Sequence, residues 1–221
     1  MNIVFLGPPG AGKGTQAEKL AHTYSIPHIS TGDILREEIK AGTDLGKLAQ
    51  SYIDDGNLIP DDVAGGIIKN RLQKDDAGGG YILDGFPRTV PQAEMLEKLL
   101  EEMGSGLDRV VYLDASPEVI VPRLSGRRVC KQCGKIYHIK NMPSAEEGVC
   151  DVCGGETYQR PDDRPEAIRQ RFQVYRDKTA DLIEWYDKKG LLTRFNADIV
   201  KEETFDELKE LFDRIEEGNG H

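Results

Sequence analysis

Aromatic residues are scarce, at 7% of 221 residues with a single tryptophan, Trp185. Long apolar runs are missing too. No stretch approaches the ~20 residues that a membrane helix needs, so no spanning segment is expected. Met1-Asn2 leads straight into Ile3-Val4-Phe5-Leu6, and the first basic residue is Lys13. Without a charged n-region and a long apolar h-region, no secretory signal is expected. Positive charge is in the minority, 29 Lys and Arg against 39 Asp and Glu, for a net charge of −10. That balance disfavours broad contact with nucleic acid or anionic lipid. Cysteine is limited to four residues in two close pairs. In a chain with no secretory signal, such spacing points to metal before disulfides.

The length sets a prior between one domain and two, and suffices to bury a core without staples. Short apolar runs at Ile3–Leu6, Ile26–Ile29, Tyr81–Leu83, Arg109–Leu113 and Leu191–Phe195 alternate with helical patterns. This rhythm predicts an α/β fold of βαβ units, a parallel sheet with helices on both faces. Helix starts are signposted at Ser116-Pro117, at Thr204 with Glu207 as a capping box, and at Asp163 ahead of Pro165. The last of these opens a long run through Phe172, Tyr175 and Trp185. The acidic residues between Glu202 and Glu217 read as a solvated helix face. No internal repeat or low-complexity linker is evident. Two segments break the rhythm. Arg128 to Arg160 holds all four cysteines and scattered glycine, and Ser30 to Ile59 is helical by pattern. Both read as insertions.

The first strand runs into Gly7-Pro8-Pro9-Gly10-Ala11-Gly12-Lys13-Gly14-Thr15, followed by a helical pattern. Glycines let backbone N–H groups turn toward one point, and the helix N-terminus adds partial positive charge. A lysine there reaches the β- and γ-phosphates of a nucleotide. The bland alternative is an ordinary glycine-rich turn. The strict phosphate-loop pattern wants Ser or Thr directly after the lysine, but Gly14 stands there and Thr15 comes one later. The loop therefore predicts a Mg²⁺ held by phosphates, water and some other carboxylate. Asp84, at the end of the third strand, is the candidate, with a turn-initiating role before Gly85 as the alternative.

Cys130-Lys131-Gln132-Cys133 and Cys150-Asp151-Val152-Cys153 are two C-x2-C knuckles sixteen residues apart, each followed by glycine. The spacing is that of tetrahedral zinc sites, and four thiolates leave no open position, so a structural Zn²⁺ is expected. Free thiols, or a nucleic-acid-binding ribbon, are the alternatives. The ribbon reading lacks a stacking surface beyond Tyr137 and His138. Phosphoryl transfer needs positioning and positive charge more than covalent help. Arginines should therefore gather at the hinges of the insertions. Arg123 and Arg127 lie four apart, on one helix face if the helix persists, while Arg160, Arg164, Arg169 and Arg171 cluster beyond the cysteines. Arg36 and Arg88 lie in the first half. Gln92 reads as part of a capping box from Thr89, and Asp162 and Asp163 as helix caps.

Taken together, the phosphate loop, Ser30-Thr31-Gly32-Asp33, Asp84-Gly85-Phe86-Pro87-Arg88 with Gln92, Gly126-Arg127-Arg128 and Arg160-Pro161-Asp162-Asp163 resemble the adenylate kinase family, in its long form with a metal-bearing lid. The resemblance runs from Met1 to about Phe195. It implies a P-loop nucleoside monophosphate kinase fold: a five-stranded parallel sheet, helices on both faces and two mobile insertions. The core would be 1–29, 60–125 and 165–221, the AMP-binding insertion 30–59 and the lid 126–164. It also implies reversible Mg²⁺-dependent conversion of ATP and AMP to two ADP by a monomeric, cytoplasmic phosphotransferase. No nucleic-acid or membrane partner is expected.

Residue by residue, the resemblance puts Gly10, Ala11, Gly12, Lys13, Gly14, Thr15, Arg123, Arg127 and Tyr137 on ATP. It puts Thr31, Arg36, Gly85, Arg88, Gln92, Arg160 and Arg171 on AMP. Lys13, Arg88, Arg123, Arg160 and Arg171 would act on the transferred phosphoryl, Asp84 would hold Mg²⁺ through water, and the four cysteines would hold zinc. Two stretches depart from the family pattern. Asn196-Ala197-Asp198 lacks the glycine that usually touches the ATP adenine, so no contact is assigned there. Gly78-Gly79-Gly80 has no assigned role. The alternatives are a kinase of another nucleoside monophosphate, such as UMP or CMP, and a zinc-ribbon regulator that binds ATP without turning it over.

Overall fold

The computed structural model describes residues 1–198 and 201–219. Five parallel strands form its sheet: β1 (Asn2–Leu6), β2 (His28–Ser30), β3 (Tyr81–Asp84), β4 (Arg109–Asp114) and β8 (Leu192–Asn196), in the order β2-β3-β1-β4-β8. Side chains alternate across it. Val4, Leu6, Tyr81, Leu83, Val110 and Tyr112 face one core, and Ile3, Phe5, Ile82, Val111 and Leu113 face another. A strand apolar on both faces must be covered on both, at ~1.5–3 kcal/mol for each large side chain buried.

The first face is covered by α4 (Asp61–Leu72), α5 (Val90–Glu102) and α8 (Asp181–Lys188), through residues such as Ile68, Leu96 and Tyr186. The second face carries α1 (Lys13–Tyr24), α6 (Pro117–Ser125), α7 (Pro165–Val174) and α9 (Lys201–Asn219), through Leu20, Ile120, Ile168 and Phe212. The segment 30–59 folds as α2 (Thr31–Ala41) and α3 (Asp44–Asp54), started by Ser30 and Thr43, whose hydroxyls accept from Asp33 N and Gly46 N. Leu35 and Ala49 join the first core. Residues 126–164 make an antiparallel sheet of β5 (Arg127–Cys130), β6 (Ile136–His138) and β7 (Thr157–Tyr158), ordered β6-β5-β7.

Several local expectations are corrected. The second strand begins at His28, because Pro27 has no N–H to give a ladder; its carbonyl accepts from Ile82 N at 2.9 Å. Thr204 does not start a helix: α9 already runs from Lys201, and Thr204 is buried within it. Ser116 flanks α6 but its side chain makes no capping bond. The long helical run beyond Pro165 is not continuous. A π-helical turn, Tyr175–Thr179, separates α7 from α8, with Ala180 N donating to Tyr175 O at 3.0 Å. Gly80 gains a reason: at φ +120°, an added Cβ would stand 2.4 Å from Met1 O. Only glycine lets β3 start beside the first residue's backbone.

Candidate active site

The C-terminal ends of the strands open into a cleft of about 750 Å³, where open α/β sheets bind ligands. Pro9 to Gly12 of the glycine-rich loop form one wall, with α1 starting at Lys13. Gly10 has φ +85°, and a Cβ there would lie 2.8 Å from Ile120 Cγ2 and 2.9 Å from Leu124 Cγ, so the loop lies tight on α6. Lys13 Nζ donates to its own loop, to Gly7 O at 2.7 Å and Pro8 O at 3.0 Å. Burial lowers its pKa to about 8; the neighbouring Arg88, Arg171 and Arg127 push the same way and Asp84 opposes them. Gly14 leaves room for Asp84, whose Oδ2 would be 3.3 Å from a Cβ placed on that glycine. Burial works to raise the Asp84 pKa, but His28, with Nε2 3.4 Å from Oδ2, and the Lys13 charge hold it low.

Charge in the cleft runs against that of the whole chain. Among the described residues, Lys13 and six arginines line it against four carboxylates. Arg127 and Arg171 both reach Asp163, which is fully buried, and Arg171 also meets Asp162 Oδ2 at 2.9 Å. Asp162 and Asp163 are thus counter-ions to these arginines, correcting the expectation of helix caps; Arg164 flanks α7 instead. Arg127 lies in β5, beyond the end of α6, so it shares no helix face with Arg123. Arg123 Nη1 donates to Ala197 O at 2.8 Å.

Across the cleft, Asp33 pairs with Arg36 and lies 3.6 Å from Arg160 Nη2. Burial alone would raise its pKa, but these two cations hold it at about 2. Arg160 and Arg88 are each lowered to about 10, by burial first and then by neighbouring arginines. Thr31 Oγ1 donates to Gly85 O at 2.9 Å, and Arg88 Nε donates to the same oxygen at 2.8 Å. Gln92 does take part in capping, its backbone N–H donating to the Thr89 hydroxyl oxygen at 3.2 Å, yet its side chain also lines the cleft.

The four cysteine sulfurs lie within 4.8 Å of one another, with Cys130–Cys153 and Cys133–Cys150 at 3.5 Å. A tetrahedral Zn²⁺ with bonds of about 2.3 Å puts sulfurs ~3.8 Å apart. The donor set and its spacing therefore fit one metal ion with four thiolate ligands. Tyr137 lines the cleft, but its hydroxyl turns to the cysteines, accepting from Asp151 N at 2.8 Å beside Cys150 Sγ.

Comparison with known proteins identifies this arrangement. Residues 5–191 match the family model described as adenylate kinase. The chain is 51% identical to an adenylate kinase of Caldicellulosiruptor bescii, over 96% of this chain and 99% of that one. It is 51% identical to one from Methanothrix thermoacetophila, over 98% and 100%, and 47% identical to one from Archaeoglobus fulgidus, over 97% and 99%. The chain belongs to the adenylate kinase family.

Adenylate kinases are phosphotransferases, and the residues that sequence alone nominated for nucleotide contact all line this one cleft. The cysteines stand apart from it as a separate cluster. Other residues of the adenylate kinase cleft escaped sequence reasoning, Asp33, Asp162, His138 and Ala197 among them. Asp33 and Asp162 lay inside quoted motifs, and their signal was an acid beside arginines. His138 had none. Ala197 was set aside for want of a glycine, yet its stretch lines the cleft and holds Arg123 through a carbonyl.

Proposed function

We propose that this chain catalyses reversible transfer of the terminal phosphoryl of Mg·ATP to AMP, giving two ADP. One observation carries the reading: two phosphate-holding devices, the Lys13 loop and the Arg88 group, face the same cleft with further arginines around them. A phosphoryl group passing between two nucleotides needs cations on its equatorial oxygens and an in-line approach.

Gly10, Ala11, Gly12, Gly14 and Thr15 offer the ATP phosphates their amides and the positive end of α1. Lys13 trades its two loop carbonyls for phosphate oxygens. Arg123 and Arg127 take the rest of the ATP phosphate chain. Arg36 and Arg88 take the AMP phosphate beside Thr31 and Gly85, while Arg160 and Arg171 reach the moving phosphoryl. Gln92 reads the AMP base. Tyr137, with its hydroxyl committed to the cysteine cluster, has its ring to offer the ATP adenosine. Mg²⁺ arriving with ATP neutralises phosphate charge, and Asp84 would hold it through water. No general base is needed.

The segments 30–59 and 126–164 are the moving parts on a core of 1–29, 60–125 and 165–221, and their closure excludes water from the transfer. The lid of this family is itself a known instance of such closure. Cys130, Cys133, Cys150 and Cys153 would hold Zn²⁺ as a structural clamp on the lid. The protein acts as a cytoplasmic monomer without nucleic-acid partners; its net charge of −10 supports the last point, and no described helix is long and apolar enough to cross a membrane.

The test supplies Mg·ATP with AMP, UMP or CMP and measures each diphosphate. AMP is the acceptor expected. Efficient turnover of UMP or CMP alone assigns a different base, and ATP binding with no diphosphate leaves only a regulator.

A further inference from the structure

The Gln92 side chain sits between two neighbours of opposite hydrogen-bonding character. Its Oε1 accepts from Arg88 N at 2.7 Å, and its Nε2 donates to Asp61 Oδ1 at 2.7 Å. A backbone N–H can only donate and a carboxylate can only accept. The amide therefore has one allowed orientation. Turning it over would put N–H against N–H at Arg88 and oxygen against oxygen at Asp61. Asp61 is itself fixed, at the first position of α4, with Thr89 Oγ1 donating to its other oxygen at 3.1 Å. Gln92 is almost wholly buried, so a mismatched amide has no water to turn to.

We infer that Asp61 is a specificity-determining residue: by locking the Gln92 amide, it makes the acceptor site read amino bases and reject keto bases. The inference rests on the reading that Gln92 meets the AMP base. After Arg88 and Asp61 are served, Gln92 keeps one lone pair on Oε1 and one N–H on Nε2. Adenine matches these with an acceptor at N1 and a donor at N6. Hypoxanthine, of the same size, carries a donor at N1 and an acceptor at O6, and could be met only by the forbidden orientation. Cytosine presents the adenine polarity, so this device sorts amino from keto bases and leaves ring size to apolar residues of the cleft such as Leu35, Ile53 and Ile59. A site built on a fixed polar match discriminates far more strongly than one built on shape.

The experiment compares AMP with IMP, both as kcat/KM with Mg·ATP and as equilibrium binding of the monophosphate alone. In Asp61→Asn the new Nδ2 can serve a flipped Gln92 and leaves the Arg88 N–H as the one mismatch, so the AMP:IMP ratio is expected to fall in both measurements. Asp61→Ala should lower it by a smaller factor. A loosened fold would weaken both ligands together and leave the ratio alone. If both variants keep the wild-type ratio, Asp61 does not set specificity. Gln92→Leu separates the two claims. A collapsed ratio there with an unchanged one in Asp61→Asn overturns only the locking, whereas a wild-type ratio in Gln92→Leu overturns the base reading too. Should neither Asp61 variant fold, hydrogen exchange at the wild-type Gln92 side-chain amide decides. Slow exchange of one of its two protons is expected, and fast exchange of both overturns the lock.

Discussion

The Asp84 carboxylate lies where a side chain on Gly14 would begin: a Cβ on that glycine would stand 3.3 Å from Asp84 Oδ2. A phosphate loop with Ser or Thr directly after its lysine brings a hydroxyl to that region. Here the space is given to a carboxylate from the neighbouring strand. The glycine that broke the strict pattern and the acid that ends β3 are one adaptation. Gly14→Thr should press on Asp84 and raise the Mg²⁺ concentration needed for half-maximal turnover, with little change in the thermal midpoint. Turnover titrated against Mg²⁺ checks this.

Among the described residues, Lys13 Nζ hydrogen-bonds to carbonyls of its own loop, so removing its charge should spare the fold. A cation on a transferring phosphoryl is worth roughly 10³–10⁵ in rate, and Lys13→Met should lose turnover on that scale with a circular dichroism spectrum and melting curve close to wild type.

The same lysine sets an alkaline limit. With its pKa lowered to about 8 by burial, its ammonium is present below that pH and lost above it. The pH profile of kcat/KM for ATP reports groups of the free enzyme, so it should fall through an apparent pKa near 8. In Lys13→Arg the guanidinium stays charged, and this limb should vanish even if turnover is low. An identical limb in the arginine variant would assign the titration elsewhere.

Asp163 anchors Arg127 and Arg171 from a fully buried position. Replacing it with alanine leaves both cations without this carboxylate, a loss of about 3–5 kcal/mol where such a pair is buried. Asp163→Ala should lower the denaturant midpoint accordingly and weaken ATP binding through a misplaced Arg127. Urea melts and nucleotide titration read the two effects separately.

The cysteine cluster is apart from the cleft apart from the link through Tyr137. Cys133→Ser, or zinc chelation, should lower the thermal midpoint by at least about 5 °C, given 2–4 °C per kcal/mol in a chain of this size. Turnover at low temperature should persist. Loss of turnover from a chelated protein that stays folded would give the metal a role in the reaction.

The central strands β1, β3 and β4 were legible because their runs are apolar on both faces and bounded by turn residues, whereas β5, β6 and β7 are short and carry no such run. The helices at Pro117 and Pro165 were legible from proline at their first turns. What sequence could not show depends on contacts between distant segments. Thr204 looks like a cap from its neighbour Glu207, but α9 starts earlier and Thr204 is buried within it. The π turn at Tyr175–Thr179 has no pattern of its own; there Thr179 Oγ1 donates to Arg88 O at 2.9 Å, across 91 residues of chain. Asp162 and Asp163 have a cap's residue type and a cap's position, and only the fold reveals the arginines that claim them. Arg123, Arg127 and Arg160 were legible because they flank the cysteine-bearing insertion, and Lys13, Arg36 and Arg88 because they sit in or beside recognisable motifs. The cleft's counter-charges were not.

On the proposed function, the cleft hands a phosphoryl group from one nucleotide to another and keeps water away from it. Following γ-labelled Mg·ATP in the presence of AMP tests this most directly. The label should appear in the β-position of ADP with almost none in inorganic phosphate, and ATP alone should be nearly inert. Label released chiefly as inorganic phosphate, at the same rate with or without AMP, would mean that water and not AMP is the acceptor.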